Sequence, residues 1–341
     1  MLELLKKLSS IDGVPSWEDD VRAFIRSEVA PYADEISEDV MGNLLVFKKG
    51  QVNCGKTIML AAHMDEVGFL VKDITDEGFL RFTCAGGLDP KVVLACPVRI
   101  GKNKVKGVIG IKAVHLTKAE ERTKLPPFDD MYIDIGATSR EEAEALVTLG
   151  DQIAFDSDPV VFGDGCLKAK GIDDRVGCAV MIKLIQEGPA VDTWFVFTVQ
   201  EETGLRGATV ASYRIQPDIA VVLEGTTAAD LAGVSGMRKA CITGAGPVVP
   251  VIDGGTIYCR ELWERAFAIC ERLGIPYQTK TLVAGGTDAG IISKNAGGAK
   301  VMAISAAVRY IHSGVSTMKI CDLDNILLLA REFLKSFAAE H

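Results

Sequence analysis

Several apolar runs of this sequence end in acidic or imidazole side chains. The run AAHMDEVGFLV contains His63 and Asp65, and later runs are bordered in the same way. The residues that follow or open these later elements are Asp173, Asp174, Glu201, Glu202, Glu224 and His312. Ligands of open α/β sheets bind at the carboxyl ends of the strands. We therefore expect five chain segments to bring two of the four histidines, and several carboxylates, to one edge of a sheet.

These side chains have the composition of a catalytic metal site. Histidine and carboxylate ligands without cysteine suit Zn²⁺, Co²⁺ or Mn²⁺, and they are less typical of a structural zinc site. The carboxylates outnumber the ligands that one ion needs, which favours two ions that share a ligand and leaves one carboxylate for proton transfer. Taken alone, each residue also has an ordinary structural explanation, as a buried histidine, a helix N-cap or a solvated turn. The prediction depends on their joint occurrence at strand ends.

The spacing of His63 and Asp65 has a geometrical consequence. Residues i and i+2 of a strand point to the same face, so Asp65 can accept a hydrogen bond from the ring nitrogen of His63 that does not bind metal. Such a carboxylate fixes the tautomer and the orientation of a ligand histidine. Glu66 faces the other way, and we expect it to be exposed to solvent.

Composition narrows the class of protein. Hydrophobic residues make up 48% of the 341 residues and charged residues 24%, as in ordinary globular proteins. The net charge of −9 argues against nucleic acid or an anionic membrane as the main partner. The nine cysteines form no C-x-x-C pair, which is typical of reduced thiols in the cytoplasm. No signal peptide and no apolar run of membrane-spanning length is recognisable, so we expect a cytoplasmic protein without a membrane partner.

Apolar periodicity predicts the order of elements. An early helix has Ser16 as its expected N-cap and ends at Pro31, and NLLVFKKG and TIMLAAHMD are expected to be neighbouring strands. Short β runs and one short helix follow. Helices and buried strands then alternate, beginning with a helix near Asp174 and closing with a capped helix from Asp322.

This pattern predicts an α/β fold with a mixed central sheet that is covered by helices on both faces. The β-rich stretch interrupts that pattern. We therefore expect residues 1–66 and 166–341 to form one α/β catalytic domain, and residues 67–165 to form a small inserted β-rich domain.

At this point the sequence resembles a known family. The stretches AAHMDEVGFLV, GIDDRVGCAV, VQEETGLRGA, GGTDAG and VRYIHSG have the order and spacing found in the M42 metallo-aminopeptidases, which include tetrahedral, glutamyl and deblocking aminopeptidases. The resemblance extends over nearly the whole chain and includes MYIDIGATSREEAEAL in the insert. It implies a zinc-aminopeptidase-like fold, peptide substrates and removal of N-terminal amino acids. It also implies that the insert dimerises and that dimers assemble into a homo-oligomer, a dodecamer in the family.

The resemblance further implies a role for each site residue. Two divalent ions per subunit, zinc ahead of cobalt or manganese, would be held by His63, Asp173, Glu202, Glu224 and His312. Asp173 would bridge the ions, with His63 and Glu224 on one and Glu202 and His312 on the other. Asp65 would orient His63, Glu201 would be the general base, and the Asp173–Asp174 peptide would be cis. Relatives more often have aspartate where this chain has Glu224.

Other functions compete with this prediction. Another dinuclear-metal amidohydrolase or deacylase could use the same metals, and some relatives are described as cellulases, so a glycan hydrolase is a further alternative. A scaffold protein with a relict site would lack a ligand or the base, and none is missing here. No G-x-S-x-G occurs, and no cysteine has an evident histidine partner. GGTDAG lacks the lysine of a phosphate loop, and we expect it to form a turn beside the site.

Overall fold

The computed structural model describes residues 1–120 and 124–339. Within these ranges the helices are α1 Leu2–Ser10, α2 Asp19–Val29, α3 Arg140–Glu144, α4 Ile172–Glu187, α5 Arg206–Ile215, α6 Arg260–Leu273, α7 Ala289–Ile292 and α8 Ile320–Ala338. The strands are β1 Glu35–Glu38, β2 Leu44–Lys48, β3 Ile58–His63, β4 Gly68–Ile74, β5 Leu80–Ala85, β6 Pro97–Ile100, β7 Val105–Gly110, β8 Tyr132–Asp134, β9 Gln152–Phe155, β10 Val160–Phe162, β11 Cys166–Ala169, β12 Thr193–Thr198, β13 Ile219–Thr227, β14 Lys300–Val308 and β15 Ser316–Lys319.

Six of these strands form the central sheet, in the order β1-β2-β12-β3-β13-β14. β12, β3, β13 and β14 run parallel, whereas β1, β2 and β12 pair antiparallel. The predicted mixed sheet is therefore confirmed. The expectation that the second and third strands are neighbours is wrong, because β12 lies between them. Apolar runs identify strands, but they do not set the order in which distant strands pair.

Helices cover both faces of this sheet, as predicted. Along β3, Ile58, Leu60 and Ala62 belong to the larger core, which also contains residues of α1, α2, α4, α6 and α8. Met59 and Ala61 point to the opposite face and pack with residues of α5 and α7. The alternation follows from the two-residue period of a strand. β3 is buried on both faces, so any polar group at its end lies at the rim of a dry interior.

A second body is a closed barrel with the strand order β4-β5-β8-β7-β6-β9. It has a core of its own, in which Phe69 packs edge-on against Phe82 with ring centroids 4.9 Å apart. The chain enters the barrel directly after β3 and leaves it after β9. β10 lies outside the barrel and pairs with β11, which in turn pairs with β15. The chain therefore passes between the two bodies next to predicted site residues. It runs from β3 into the barrel, and from the barrel through β10 and β11 to α4.

Two helices begin differently from the sequence expectation. α2 starts at Asp19, and Ser16 has a φ of 75° and does not cap it; instead the Ser16 amide donates to Glu18 at 3.0 Å. α8 starts at Ile320, and the carboxylate of Asp322 accepts hydrogen bonds from two glycine amides of a distant loop at 2.7 and 2.9 Å. The predicted caps at Ser16 and Asp322 are both wrong. Ser16 lies in a local turn closed by Glu18, and Asp322 is engaged by a distant loop.

Across the described part of the chain, the helices are all too short or too polar to traverse a lipid bilayer.

Candidate metal centre

The carboxyl edge of the central sheet brings the expected ligands together. His63 is the last residue of β3, Glu224 lies within β13, and Asp173 lies in the first turn of α4. Glu202 follows β12, and His312 follows β14. Parallel strands end at the same edge of a sheet, so segments far apart in sequence meet there.

Two small groups of ligand atoms share one carboxylate. His63 Nε2 lies 3.5 Å from Asp173 Oδ1 and 3.5 Å from Glu224 Oε2. His312 Nε2 lies 3.3 Å from Glu202 Oε1 and 3.8 Å from Asp173 Oδ2. The two oxygens of Asp173 therefore face different histidines, which is the arrangement a bridging carboxylate needs.

The spacing of these atoms fits divalent cations. Ligand bonds of 2.0–2.1 Å in tetrahedral geometry separate neighbouring ligand atoms by about 3.3 Å, and the separations here are 3.3 to 3.8 Å. Glu224 Oε2 is buried and accepts no hydrogen bond from any residue that the structure describes. Buried polar atoms without a partner are rare, so this oxygen has the environment of a ligand atom.

Asp174 lies close to His63 and Glu224 and could be mistaken for a ligand. Its carboxylate, however, accepts hydrogen bonds from the amides of His63 at 3.2 Å and Gly177 at 2.9 Å. It therefore contacts the backbone of β3 and of α4. The peptide between Asp173 and Asp174 is cis, which confirms that prediction.

Each histidine ring is oriented through its other nitrogen. His63 Nδ1 lies 3.0 Å from the carbonyl oxygen of Asp65 and 3.6 Å from the Asp65 carboxylate. His312 Nδ1 lies 2.7 Å from the carbonyl oxygen of Gly87, which follows the barrel strand β5. A carbonyl can only accept, so both Nδ1 atoms are donors, and this fixes each ring with its Nε2 directed at the carboxylates.

The Asp65 carboxylate does more than sequence reasoning anticipated. Its Oδ1 accepts the amide of Glu201 at 3.0 Å and its Oδ2 accepts the amide of Glu202 at 3.1 Å. These contacts are shorter than the 3.6 Å to the His63 ring. Asp65 therefore holds the turn after β12 as well as lying beside His63.

Burial and mutual repulsion perturb the carboxyl groups. Burial raises the pKa of Glu201 well above its ordinary value; His63 opposes this shift, and Asp288 and Glu202 add to it. Burial also raises the pKa of Glu224 well above its ordinary value. Burial lowers the pKa of His63, but Glu224 and Asp173 outweigh that effect and hold it well above the usual range. So much negative charge in one place is stabilised when cations bind there.

The site opens into a cavity of about 380 Å³. Four of the five expected ligands and Glu201 line it, and so do Gly285, Gly286 and Thr287 of the GGTDAG stretch, as expected of a turn beside the site. The four are Asp173, Glu202, Glu224 and His312. Among the described residues that line the cavity, Lys280 is the single lysine or arginine. Lys280 donates to the carbonyl of Ala284 at 2.6 Å.

Glu66 is buried, and the expectation that it is solvent-exposed is wrong. It pairs with Lys170, whose ammonium also lies 3.1 Å from Asp12, and it lies 3.8 Å from Arg175. The chain enters the barrel directly after Glu66, so both of its sides are covered. The alternation of residues along the strand does not indicate a distant partner such as Lys170.

Sequence reasoning also missed two residues that touch the turn after β12. Glu18 accepts the amide of Gln200 at 3.1 Å, and Asn43 accepts the amide of Val199 at 3.0 Å. Glu18 lies in an acidic stretch that opens a helix, a setting in which an acid is ordinarily explained by the helix dipole. Because the helix dipole already accounts for an acid at that position, the sequence did not indicate the contact of Glu18 with Gln200.

With this geometry in place, comparison with known proteins identifies the family. The family model for M42 glutamyl aminopeptidase matches residues 42–329. This chain belongs to the M42 family. M42 proteins are metal-dependent aminopeptidases, that is, hydrolases that act on peptide bonds.

Individual members resemble the chain along almost its full length. A putative aminopeptidase of Acetivibrio thermocellus is 43% identical, over 97% of this chain and 98% of that protein. The TET aminopeptidase of Thaumarchaeota archaeon SCGC AB-539-E09 is 34% identical with a TM-score of 0.93, covering 98% of each chain. The TET1 peptidase of Pyrococcus horikoshii, which can assemble into a tetrahedron or a large octahedral shell, is 33% identical with a TM-score of 0.84, covering 97% of this chain and 98% of that one.

A similar solved structure that is described with a different activity is relevant to the alternative function of a glycan hydrolase. A Thermotoga maritima protein described as an endoglucanase is 32% identical with a TM-score of 0.80, covering 98% of this chain and 99% of that one. The M42 fold is therefore shared by proteins that are described with two different hydrolytic activities.

Proposed function

We propose that this M42 protein removes N-terminal amino acids from peptides with two divalent cations per subunit, of which zinc is the first candidate and cobalt or manganese the alternatives. The observation that supports two cations is the division of the Asp173 carboxylate, with Oδ1 near His63 and Oδ2 near His312. Glu224 completes the first ligand group and Glu202 the second. When bound there, two such ions would supply Lewis-acid chemistry, that is, an activated water molecule and a polarised scissile carbonyl.

Glu201 is proposed as the general base. Glu202, its neighbour, is directed at His312, whereas Glu201 lines the cavity without a histidine partner among the ion pairs of the described residues. Its carboxylate takes the proton of the attacking water and returns it to the leaving amine. A carboxyl whose pKa is raised by burial suits this exchange, which contributes roughly 10²–10⁴-fold to the rate.

The acidic wall of the cavity favours a substrate with a free α-ammonium group. Asp173, Glu202 and Glu224 line it and would be neutralised by the proposed cations, whereas Glu201 and Asp253, which also line it, are not proposed ligands. A positively charged N-terminus is complementary to such a wall, whereas an acylated N-terminus is not. A cavity of about 380 Å³ is of the size that holds one small ligand, so the first residue of a peptide fits it.

The proposal is tested by assaying metal-stripped protein after addition of Zn²⁺, Co²⁺ or Mn²⁺. The substrates are alanyl-p-nitroanilide, its N-acetylated counterpart and a soluble β-glucan. We expect metal-dependent release of nitroaniline from the free amine alone, with full activity at two ions per chain. Acetate release would indicate a deacylase instead, and sugar release at a comparable rate would indicate a glycan hydrolase. Asp173→Asn should lose both ions; retention of two tightly bound ions would refute the bridge.

The domain organisation and assembly form a second part of the proposal. We infer a catalytic domain of residues 1–66 and 166–341 and an inserted domain of residues 67–165 that dimerises. Support comes from the separate core of the barrel and from its exposed apolar residues Val114 and Leu116. The TET1 relative assembles into shells, so dimers of this chain that form a dodecamer are the proposed outcome. None of the nine cysteines forms a disulfide in the described part of the chain, which supports a reducing, cytoplasmic location.

A further inference from the structure

The turn between β12 and α5 has an unusual set of hydrogen bonds. Four successive backbone amides, from residues 199 to 202, each donate to a side-chain oxygen from elsewhere in the chain. The acceptors are Asn43 for the first, Glu18 for the second and Asp65 for the last two. The turn holds the proposed base and one proposed ligand, so three separate segments determine where these two side chains point.

Gln200 is the residue at which this turn changes direction. Its φ of 55° lies in the left-handed region, which is unfavourable for a residue with a Cβ. Such a conformation persists only where the surroundings hold it. The contact that holds the Gln200 amide is the 3.1 Å hydrogen bond to Glu18 Oε1.

Glu18 is well placed to hold this amide. Glu18 is 3% exposed, and the same Oε1 also accepts the Ser16 amide at 3.0 Å, which further restrains the carboxyl group. The Gln200 peptide leads directly into Glu201, so its orientation bears on where the Glu201 side chain points. Glu202 is held separately, because its own amide donates to Asp65. Glu202 faces His312 at 3.3 Å, and Glu201 lines the cavity.

We propose that Glu18 is a positioning residue for the hydrolytic reaction: by accepting the Gln200 amide, it holds Glu201 in the orientation in which it acts as the base. The inference rests on the proposed role of Glu201. Glu18 lies behind the turn and does not line the cavity, so it acts through the backbone and not on the substrate. The competing explanation is that Glu18 only fastens the N-terminal segment to the rest of the protein.

Two variants separate these explanations. Glu18→Ala removes the acceptor, whereas Glu18→Gln retains a carbonyl oxygen of the same reach. We expect Glu18→Ala to lower kcat by about 10- to 100-fold, as small misplacements of catalytic groups do, with KM and metal content unchanged. Glu18→Gln should restore kcat to near the wild-type value. Equal impairment in both variants, or normal kcat in Glu18→Ala, would overturn the proposal.

Asp322→Ala is the matched control for general destabilisation. Asp322 is also fully buried and also accepts two backbone amides, but it does not line the cavity. Its loss should lower the unfolding temperature and leave kcat unchanged at a temperature at which the protein is folded. If both alanine variants lowered kcat in proportion to their loss of stability, the role of Glu18 would be structural alone.

A double variant and an exchange measurement complete the test. If Glu18 acts through Glu201, kcat of Glu18→Ala combined with Glu201→Gln should equal that of Glu201→Gln alone, because residues that act as a unit are not additive. Amide hydrogen exchange of residues 199–205 should accelerate in Glu18→Ala and not in Glu18→Gln. Near-normal turnover of Glu201→Gln would refute the proposed base. Unchanged exchange in Glu18→Ala would refute the positioning role whatever the base is.

Discussion

Glu201 and Glu202 are adjacent and of identical chemistry, yet the structure places them in different settings. Glu202 is 3.3 Å from His312, while Glu201 lines the cavity next to the shared carboxylate of Asp173. The difference arises from the backbone turn and not from the side chains. In the proposed assignment, one glutamate is available for proton transfer because the other is directed at His312.

This assignment predicts opposite behaviour of two isosteric variants. Glu201→Gln removes basicity and keeps shape, so metal content and folding should stay near wild type while kcat falls by at least about 10²-fold. Glu202→Gln should weaken metal binding, and excess metal should partly restore activity. Elemental analysis and steady-state kinetics on the two proteins provide the check. If Glu201→Gln lost metal and Glu202→Gln retained it, the two roles would be exchanged.

Glu18 gives a prediction about pH. Burial, reinforced by the charge of Asp65, raises the pKa of Glu18 to about 7 in the folded protein. A raised carboxyl pKa stabilises the fold below the unfolded pKa of about 4.5, and this stabilisation is lost as the pH rises through about 7. Glu18→Gln has no charge to bury. The free energy of unfolding of this variant, relative to that of wild type, should therefore increase between about pH 4.5 and about pH 7, by up to about 3 kcal/mol. Urea unfolding from pH 4 to 8 measures the gap; a gap independent of pH would contradict the burial of an ionisable group.

At the scale of elements, the site depends on how closely β13 approaches the start of α4. The amide of Gly225, directly after Glu224, donates to Asp173 Oδ1 at 3.1 Å. A Cβ at Gly225 would lie 2.8 Å from the Cβ of Asp173, closer than real Cβ contacts allow. The strand and the helix can meet there only if that position has no side chain.

Gly225→Ala should therefore displace Asp173 and weaken binding at both ligand groups together. Isothermal titration of metal-stripped protein with Zn²⁺ is the measurement, alongside a thermal melt that verifies folding. Gly297→Ala is the control, because a Cβ at that position meets no atom within 4 Å. Wild-type affinity and stoichiometry in Gly225→Ala would show that Asp173 is not held by this contact.

The sequence predicted the elements and the site better than it predicted how they connect. His63, Glu224 and His312 could be placed together because parallel strands end at one edge, a property that follows from the apolar pattern alone. The order of β2, β12 and β3 could not be predicted, because pairing depends on distant segments. The burial of Glu66 was missed for the same reason.

At the scale of the whole molecule, the barrel and the central sheet meet at the site. The carbonyl of Gly87, beyond β5, orients His312. Arg99 of the barrel strand β6 pairs at 2.6 Å with Asp12, which also lies 3.1 Å from Lys170, just before α4. Removal of one partner from a buried ion pair costs about 3–5 kcal/mol because it leaves the other charge unpaired, so loss of Arg99 or Asp12 should weaken the contact between the two bodies. The site is therefore a product of both bodies, although the proposed ligands all lie outside the barrel.

The proposed assembly can be tested on the apolar surface of the barrel side. Val114 and Leu116 lie in one short turn of the insert and are 68% and 59% exposed. Exposed apolar residues that lie together are typical of an interaction surface. Light scattering at micromolar concentration with metal present should give at least twice the 36.5 kDa of one chain.

Val114→Asp combined with Leu116→Asp should lower that mass, because a buried interface does not tolerate unpaired charge. Val40→Asp is the control, since Val40 is 97% exposed between β1 and β2, outside the insert. A monomeric wild-type protein would refute the assembly. A loss of mass in Val40→Asp alone would move the interface to the catalytic domain.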